Sequence, residues 1–331
     1  MSEQTINKSE KIKSNKDVKI VINKKEETKG TNPEKIKNIK RTKSKKLVEP
    51  NKLEDVLEKS TNKINKIIIE DDKEKNMNTL KDNVWKHILN EIKYYGKKEL
   101  VITAEEIKKC SKTWKGTNNQ FEPRLLCKQD CKEDIPKIFR DYKINIISIK
   151  NGEYLLTKNS IYLTLEYPKV KINEIEKNDN SLLLNIGNSE SSLIDNLRYS
   201  GLFEKSKYLG EKILFGPLLN GRHRCSFKTK IGNKEIEISG SQFETDACYE
   251  SENKILLIEC KGVNYLSSFN IRQLYYPYRT IYDTIEGKKE IITLFINKDK
   301  NNIIHIWKFE FENPLVMTST KNIGYHKYIF D

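Results

Sequence analysis

The chain has 331 residues, enough for one large or two ordinary domains with a sizeable core. Only 36% of residues are hydrophobic, and no apolar run is long enough for a membrane span or a signal peptide, which points to a cytoplasmic protein with no membrane partner. The formal net charge of +14 favours a polyanionic partner, nucleic acid first and an anionic membrane surface second.

Residues 1–78 are rich in Lys, Asn, Glu, Ser and Thr, with 21 Lys+Arg against 14 Asp+Glu. Such a segment buries too little apolar surface to offset its chain entropy and reads as a disordered basic tail. Residues 79–180 are expected to form a small α+β region. Val84, Trp85, Ile88, Leu89 and Ile92 fall at helical spacing. A short strand, Glu99 to Ile102, precedes Thr103-Ala104-Glu105-Glu106, a capping box that opens a helix. A second box at Asp130-Cys131-Lys132-Glu133 opens a helix through Phe139. Asn151-Gly152, between Ile144–Ile149 and Glu153–Thr157, signals a hairpin. Helices followed by a hairpin suggest a winged-helix-like unit that recognises DNA. Lys169 to Ser181 is polar and reads as a linker.

The six cysteines form no CxxC pair, which fits free thiols in a reducing compartment. Cys127-x3-Cys131 resembles half a zinc site, but no second pair follows at finger spacing.

From Ser191 the elements are clearer. A helix around Leu193, Ile194 and Leu197 precedes strands Arg224–Lys230 and Glu235–Ala247, joined near Gly232-Asn233. Lys254–Glu259 is a third strand, Phe269 to about Thr284 a helix kinked at Pro277, and Glu290–Ile296 and Ile303–Phe311 are further strands.

Phe243-Glu244-Thr245-Asp246-Ala247 places an acid near one strand end, and Glu259-Cys260-Lys261 closes the next. On a strand, Glu259 and Lys261 point the same way. Other acid-x-Lys triplets, such as Glu91-Ile92-Lys93, lie on predicted helices, where i and i+2 do not share a face. Two carboxylates and an amine at adjacent strand ends can hold a divalent metal against a phosphate. The plain alternative is a strand that leaves the core and ends in two solvated charges.

This order, with Asp246 and Glu259-x-Lys261 on successive strands, resembles the PD-(D/E)XK nuclease superfamily, and the wider run resembles a group of type II restriction endonuclease-like proteins. The resemblance spans roughly residues 80–312, most firmly 190–298. It is carried by Gly221-Arg222-His223-Arg224, Gln242 to Ala247, Ile258 to Lys261 and Phe269 to Arg279, and upstream by Phe121 to Leu125 and Asn151 to Tyr154. Thr245 stands where the family has proline.

The resemblance implies an α/β fold: a restriction-endonuclease-like mixed sheet flanked by helices (α-β-β-β-α-β core) over residues 181–331, preceded by the small α+β region and the tail. It implies that Asp246 and Glu259 bind Mg2+ (Mn2+ as a substitute), with the Cys260 carbonyl as a further ligand. Mg2+ takes hard oxygen ligands and few protein carboxylates. The ion would polarise the scissile phosphate and acidify a water. Lys261 would orient or activate that water and offset charge on the phosphate. Gln273, early on the helix, would lie beside the site. Glu244 would support a second metal or face solvent beside Asp246, and Glu190 or Asp195 would supply an extra carboxylate. Arg222, Arg224, Arg272 and Arg279 are candidate DNA contacts, and His223 is a phosphate contact, a general base or a turn residue.

The function expected is a Mg2+-dependent endonuclease acting on double-stranded DNA. A restriction role would bring a cognate DNA methyltransferase as genetic partner, and cutting two strands would suit a homodimer, although no dimer surface is marked. The alternatives are a structure-selective or repair nuclease of the same fold and a non-catalytic DNA-binding regulator.

Overall fold

The computed structural model describes residues 80–94, 99–116, 121–178, 181, 184, 187, 189–262 and 266–331. The tail expected over 1–78 lies outside them. A helix over residues 80–91 (α1) comes first, and Val84, Trp85, Ile88 and Leu89 are all buried, as their spacing requires. Strand β1 (Glu99–Thr103) runs into α2 (Ala104–Cys110) through the expected capping box. The Glu106 N–H donates to Thr103 Oγ1 at 3.1 Å, and the Thr103 N–H donates to Glu106 Oε2 at 2.7 Å. A short α3 (Pro123–Leu126) follows.

The second box moves by one residue. Asp134, not Glu133, accepts the N–H groups of Asp130 and Cys131, at 3.0 and 3.2 Å. The expected helix is also cut in two. A single 3-10 turn, Lys132–Asp134, stops at Ile135, and α4 (Lys137–Tyr142) starts afresh. Pro136 is the reason, because the residue before a proline is driven out of the helical region, and Ile135 has ψ 122.

Strands β2 (Asn145–Lys150) and β3 (Glu153–Thr157) form the expected hairpin, with Gly152 at φ 76, where a side chain would be strained. The small strand β4 (Tyr162–Thr164) and β5 (Ile172–Ile175) follow. The linker expected over 169–181 thus contains a strand. Only Ile175 of β5 is buried, so the apolar alternation that would reveal it is missing. Next come α5 (Glu190–Tyr199), β6 (His223–Ile231), β7 (Lys234–Phe243), β8 (Ala247–Glu250), β9 (Lys254–Lys261) and β10 (Ser268–Asn270). Then α6 (Arg272–Ile285), which continues through Pro277, leads to β11 (Glu290–Lys298), β12 (Ile304–Phe311) and β13 (Thr320–Phe330).

The fold is mixed α/β. One sheet has the order β1-β3-β2-β7-β6, a second β5-β13-β12-β11-β9-β8, and β10 pairs with β4. The first sheet joins the hairpin to strands from 223–243: Lys150 of β2 pairs with Ser239 of β7, and the Ser148 and Ser241 hydroxyls meet at 2.8 Å. The residues expected as a separate winged-helix-like unit therefore share a sheet with the downstream half. One apolar core runs from Trp85 and Phe139 through Ile146 and Leu156 to Tyr276, Phe295 and Trp307.

In the second sheet β9 and β11 are parallel, joined through α6. Strand β9 is buried on both faces, as its run of Ile and Leu predicts. Ile255 and Leu257 enter the core that holds Leu274, Tyr275 and Tyr276 of α6. Leu256, Ile258 and Cys260 enter a second core with Leu193, Ile194 and Leu197 of α5. The two helices thus cover opposite faces. The strand expected over Glu235–Ala247 is two strands in different sheets. β7 ends at Phe243, and after Glu244-Thr245-Asp246 the chain enters β8, antiparallel to β9.

Candidate active site

Asp246 lies in the crossing between the two sheets, not at the end of a regular strand. Its Oδ2 accepts the Cys260 N–H at 2.6 Å, which ties it to the end of β9. Alternation along β9 puts Glu259 and Lys261 on the α6 face, and Lys261 Nζ donates to Glu259 Oε1 at 2.5 Å. Gln273, in the first turn of α6, donates to the same oxygen through Nε2 at 2.7 Å. Glu190, at the start of α5, accepts the Gly262 N–H at 3.0 Å and so pins the chain just after β9. All five side chains border one cleft of about 470 Å3.

These are not solvated charges at a strand end. Glu259 is only 5% exposed. Burial pushes its carboxyl up to about 7; the Lys261 ammonium opposes that rise and the Asp246 carboxylate adds to it. Burial pulls the other way on Lys261, but Glu259, Asp246 and Glu190 outweigh it and hold the ammonium above the usual lysine range. Lys261 is therefore a fixed cation.

Each carboxylate has one oxygen fixed by the protein and one with no partner among the described residues: Asp246 through Cys260, Glu259 through Lys261 and Gln273. Gln273 Oε1 is buried and likewise unpartnered among those residues. Buried polar atoms without partners are rare and call for an explanation. Here an unpaired amide oxygen stands beside two carboxylates with an oxygen each to spare. This donor set suits a hard, hydrated divalent cation, which takes one or two carboxylates and keeps waters that donate hydrogen bonds. No group of three His, Cys, Asp or Glu side chains able to hold a metal occurs among the described residues. Cys260 belongs to the site through its main chain alone, because its thiol lies in the α5 core.

The other expected residues divide. Glu244 borders the cleft, but the strand has already ended, so alternation does not set it beside Asp246. Its exposed carboxylate accepts from Arg222 Nε at 2.9 Å and Gln242 Nε2 at 3.4 Å. Arg272 borders the cleft, donating to the Gln242 carbonyl at 3.3 Å. Arg224 is exposed and donates to the Gly240 carbonyl at 3.0 Å. Arg279 does not join them. It is 8% exposed, paired with Asp283 at 2.8 Å and bonded to the Lys228 carbonyl at 3.0 Å, so it packs the core rather than facing a ligand. The His223 ring stacks on Phe243, with Nε2 at the Asn220 carbonyl. Asp195 lies near Tyr249, outside the cleft lining. Tyr275, Tyr276 and Tyr278 are buried under α6. Cys127 and Cys131 are free thiols, both held far above the ordinary range by burial.

One wall of the cleft carries no signal in the sequence. Arg124, Lys128, Gln129, Asp130 and Lys150 line it from the first half of the chain. Asp130 had a local explanation as a helix cap, and no short-range pattern links residue 130 to residue 259.

A family profile described as a domain of unknown function (DUF6997) matches residues 157–329, and a second, also a domain of unknown function (DUF6996), matches residues 82–156. Their junction falls inside β3. No curated protein and no solved structure matches. Among the described residues no helix is long and apolar enough to cross a membrane.

Proposed function

We propose that this chain, which belongs to the DUF6997 family, is a Mg2+-dependent DNA endonuclease with a restriction-endonuclease-like core, hydrolysing phosphodiester bonds. One observation carries the reading: Asp246, Glu259, Lys261 and Gln273, from a sheet crossing, a strand end and a helix start, converge in one cleft and leave carboxylate oxygens free. The α5-β6-β7-β8-β9-β10-α6-β11 order and the parallel β9–β11 pair support the fold assignment.

Asp246 and Glu259 would hold the ion, with Mn2+ as a substitute, and when bound it supplies Lewis-acid polarisation of the scissile phosphate. Lys261 stays protonated under the pull of Glu259 and Asp246. As an ammonium it would offset the charge that develops on the pentavalent phosphate and orient the attacking water. Gln273 fixes the Glu259 carboxylate from the helix side. The Cys260 N–H does the same for Asp246, so neither acid must reorganise as the reaction proceeds. Burial of Glu259 keeps bulk water from weakening these fields.

The test is incubation of the purified full chain with supercoiled plasmid. The account expects nicked and linear DNA in Mg2+ or Mn2+ and none in EDTA. Intact plasmid under every metal condition, with folded protein, would remove the hydrolase reading.

A further inference from the structure

The floor of the cleft is acidic. Asp246, Glu259 and Glu190 meet there, and Asp130 adds a fourth carboxylate close enough to act on Glu259. Such a floor repels a polyanion unless cations flank it. The wall from the first half of the chain supplies them. Arg124, Lys128 and Lys150 line the cleft with exposed side chains. Lys128 pairs with Asp130 at 3.2 Å and Lys150 with Glu153 at 2.8 Å, both at the surface, where an ion pair contributes little and is readily exchanged for phosphate.

This wall is mounted rigidly. Lys81 Nζ donates to the Lys128 carbonyl at 2.8 Å and Trp85 Nε1 to the Leu126 carbonyl at 3.2 Å. From the second half, the Asn270 N–H donates to the Asp130 carbonyl at 2.7 Å and Asn270 Nδ2 to the Gln129 carbonyl at 3.1 Å. Asn270 stands three residues before Gln273, so the wall is fastened to the segment that carries the site. Gln129 borders the cleft at 2% exposure, and its amide N–H has no partner among the described residues. Exchanging its amide oxygen and nitrogen would only move the unpaired atom, since among the described residues Tyr162 is the sole partner of that amide. A buried amide group with hydrogen-bonding capacity to spare thus borders the cleft beside the three cations.

We infer that Arg124, Lys128 and Lys150 grip the phosphate backbone of double-stranded DNA beside the scissile group, so that residues 82–156 supply the substrate-holding wall of a site whose chemistry lies in residues 157–329. The inference rests on the nuclease reading for its ligand. Arg272 lines the cleft from another segment, and Arg222 pairs with Glu244 at its border, which places positive charge on more than one flank of the acidic floor, as a duplex with two phosphate strands requires.

The experiment is fluorescence anisotropy of a labelled mixed-sequence 30-base-pair duplex in EDTA, over a range of NaCl concentrations, with the full chain. The wall variant carries Arg124→Ala, Lys128→Ala and Lys150→Ala. The control carries Lys205→Ala, Lys212→Ala and Lys288→Ala, three exposed residues off the cleft with the same charge change. The wall variant should lower the slope of log affinity against log salt by about 2 to 3, at roughly 0.9 per lost phosphate contact, and the control by less than about 1. Should the triple variant fail to melt cooperatively, Arg124→Ala and Lys150→Ala alone should each lower the slope by about 1. Equal slopes for wall and control overturn the inference, as does a larger loss for single-stranded RNA than for duplex DNA, or no binding by the parent chain. If the slope falls but plasmid stays uncut in Mg2+, the wall stands and the hydrolase reading goes. If plasmid is cut but the slope holds, the wall alone is wrong.

Discussion

Two clusters of buried charge share one face of the six-stranded sheet. Lys261 on β9 lies opposite Asn297 on β11, which lies opposite His305 on β12. In the β12 cluster the histidine and the aspartate are matched. His305 Nδ1 meets the Tyr325 hydroxyl at 2.7 Å and Nε2 meets Asp299 Oδ2 at 3.2 Å. Asp299 Oδ1 accepts the Asn301 and Ile303 N–H groups at 2.8 and 2.9 Å. In the β9 cluster the Gln273 amide oxygen and one oxygen on each of two carboxylates are left over among the described residues. Burial, charge and perturbed titration are common to both, so none of them marks the site. Spare carboxylate oxygens beside an unpaired amide do; a lone unpaired atom does not, since Trp114 Nε1 and Asn297 Oδ1 are also buried without partners among the described residues and lie off the cleft lining. Leaving a buried polar group unpaired costs roughly 1–3 kcal/mol, which a fold tolerates where a ligand completes the set.

Substitutions test that contrast. The largest effect is expected at the carboxylates: Asp246→Asn or Glu259→Gln should slow plasmid nicking by about a thousandfold or more with the fold retained, whereas Asp299→Asn should change it by less than about threefold. Circular dichroism melting of each variant separates lost chemistry from lost structure.

Lys261→Ala should slow single-turnover cleavage by about a hundredfold or more while Mg2+ still binds, because the lysine is not a ligand. Lys261→Arg should not restore the rate, since a planar guanidinium does not reproduce a compact ammonium. Titration calorimetry decides: if Lys261→Ala abolished metal binding and Asp246→Asn left it intact, the two roles would be reversed.

Metal affinity should depend on pH with a defined sign. The Glu259 carboxyl titrates near 7, so below that value a proton occupies the group the ion needs. Affinity should fall by up to about tenfold per pH unit below 7 and level off above it. A Mg2+ affinity that stays flat from pH 5.5 to 8 would show that Glu259 is not a ligand.

The smallest catalytic effect belongs to the matched cluster. Burial holds His305 below the ordinary histidine range, although Asp299 pulls the other way, so the unfolded chain takes up a proton first as pH falls. The stability this group contributes is present above the ordinary histidine value and is lost as pH drops through its folded value. His305→Gln should flatten the stability profile between pH 7 and 5, measured by urea unfolding, and leave the cleavage rate within about twofold. A steep loss of cleavage would mean that the cluster serves the site.

Local signals were legible where local physics decides. The Thr103–Glu106 box and the Asn151-Gly152 turn need only neighbouring residues, and both stand as written. Glu259 and Lys261 share a face because a strand alternates. The split between β7 and β8 was hidden, because Glu244-Thr245-Asp246 carries no glycine or proline to break the run, and the two packed cores explain the change of sheet. Strand β13 was not among the expected elements: Lys321, Asn322 and Lys327 interrupt its apolar pattern, yet the strand pairs along β12. The wall at residues 124–150 was hidden by distance along the chain.

The most direct measurement is a single gel that compares the parent chain, Asp246→Asn and Asp299→Asn on supercoiled plasmid in Mg2+. Cutting is expected from the parent and from Asp299→Asn and none from Asp246→Asn. Equal cutting by all three, or loss in the Asp299 variant with full activity in the Asp246 variant, would contradict the metal-site assignment.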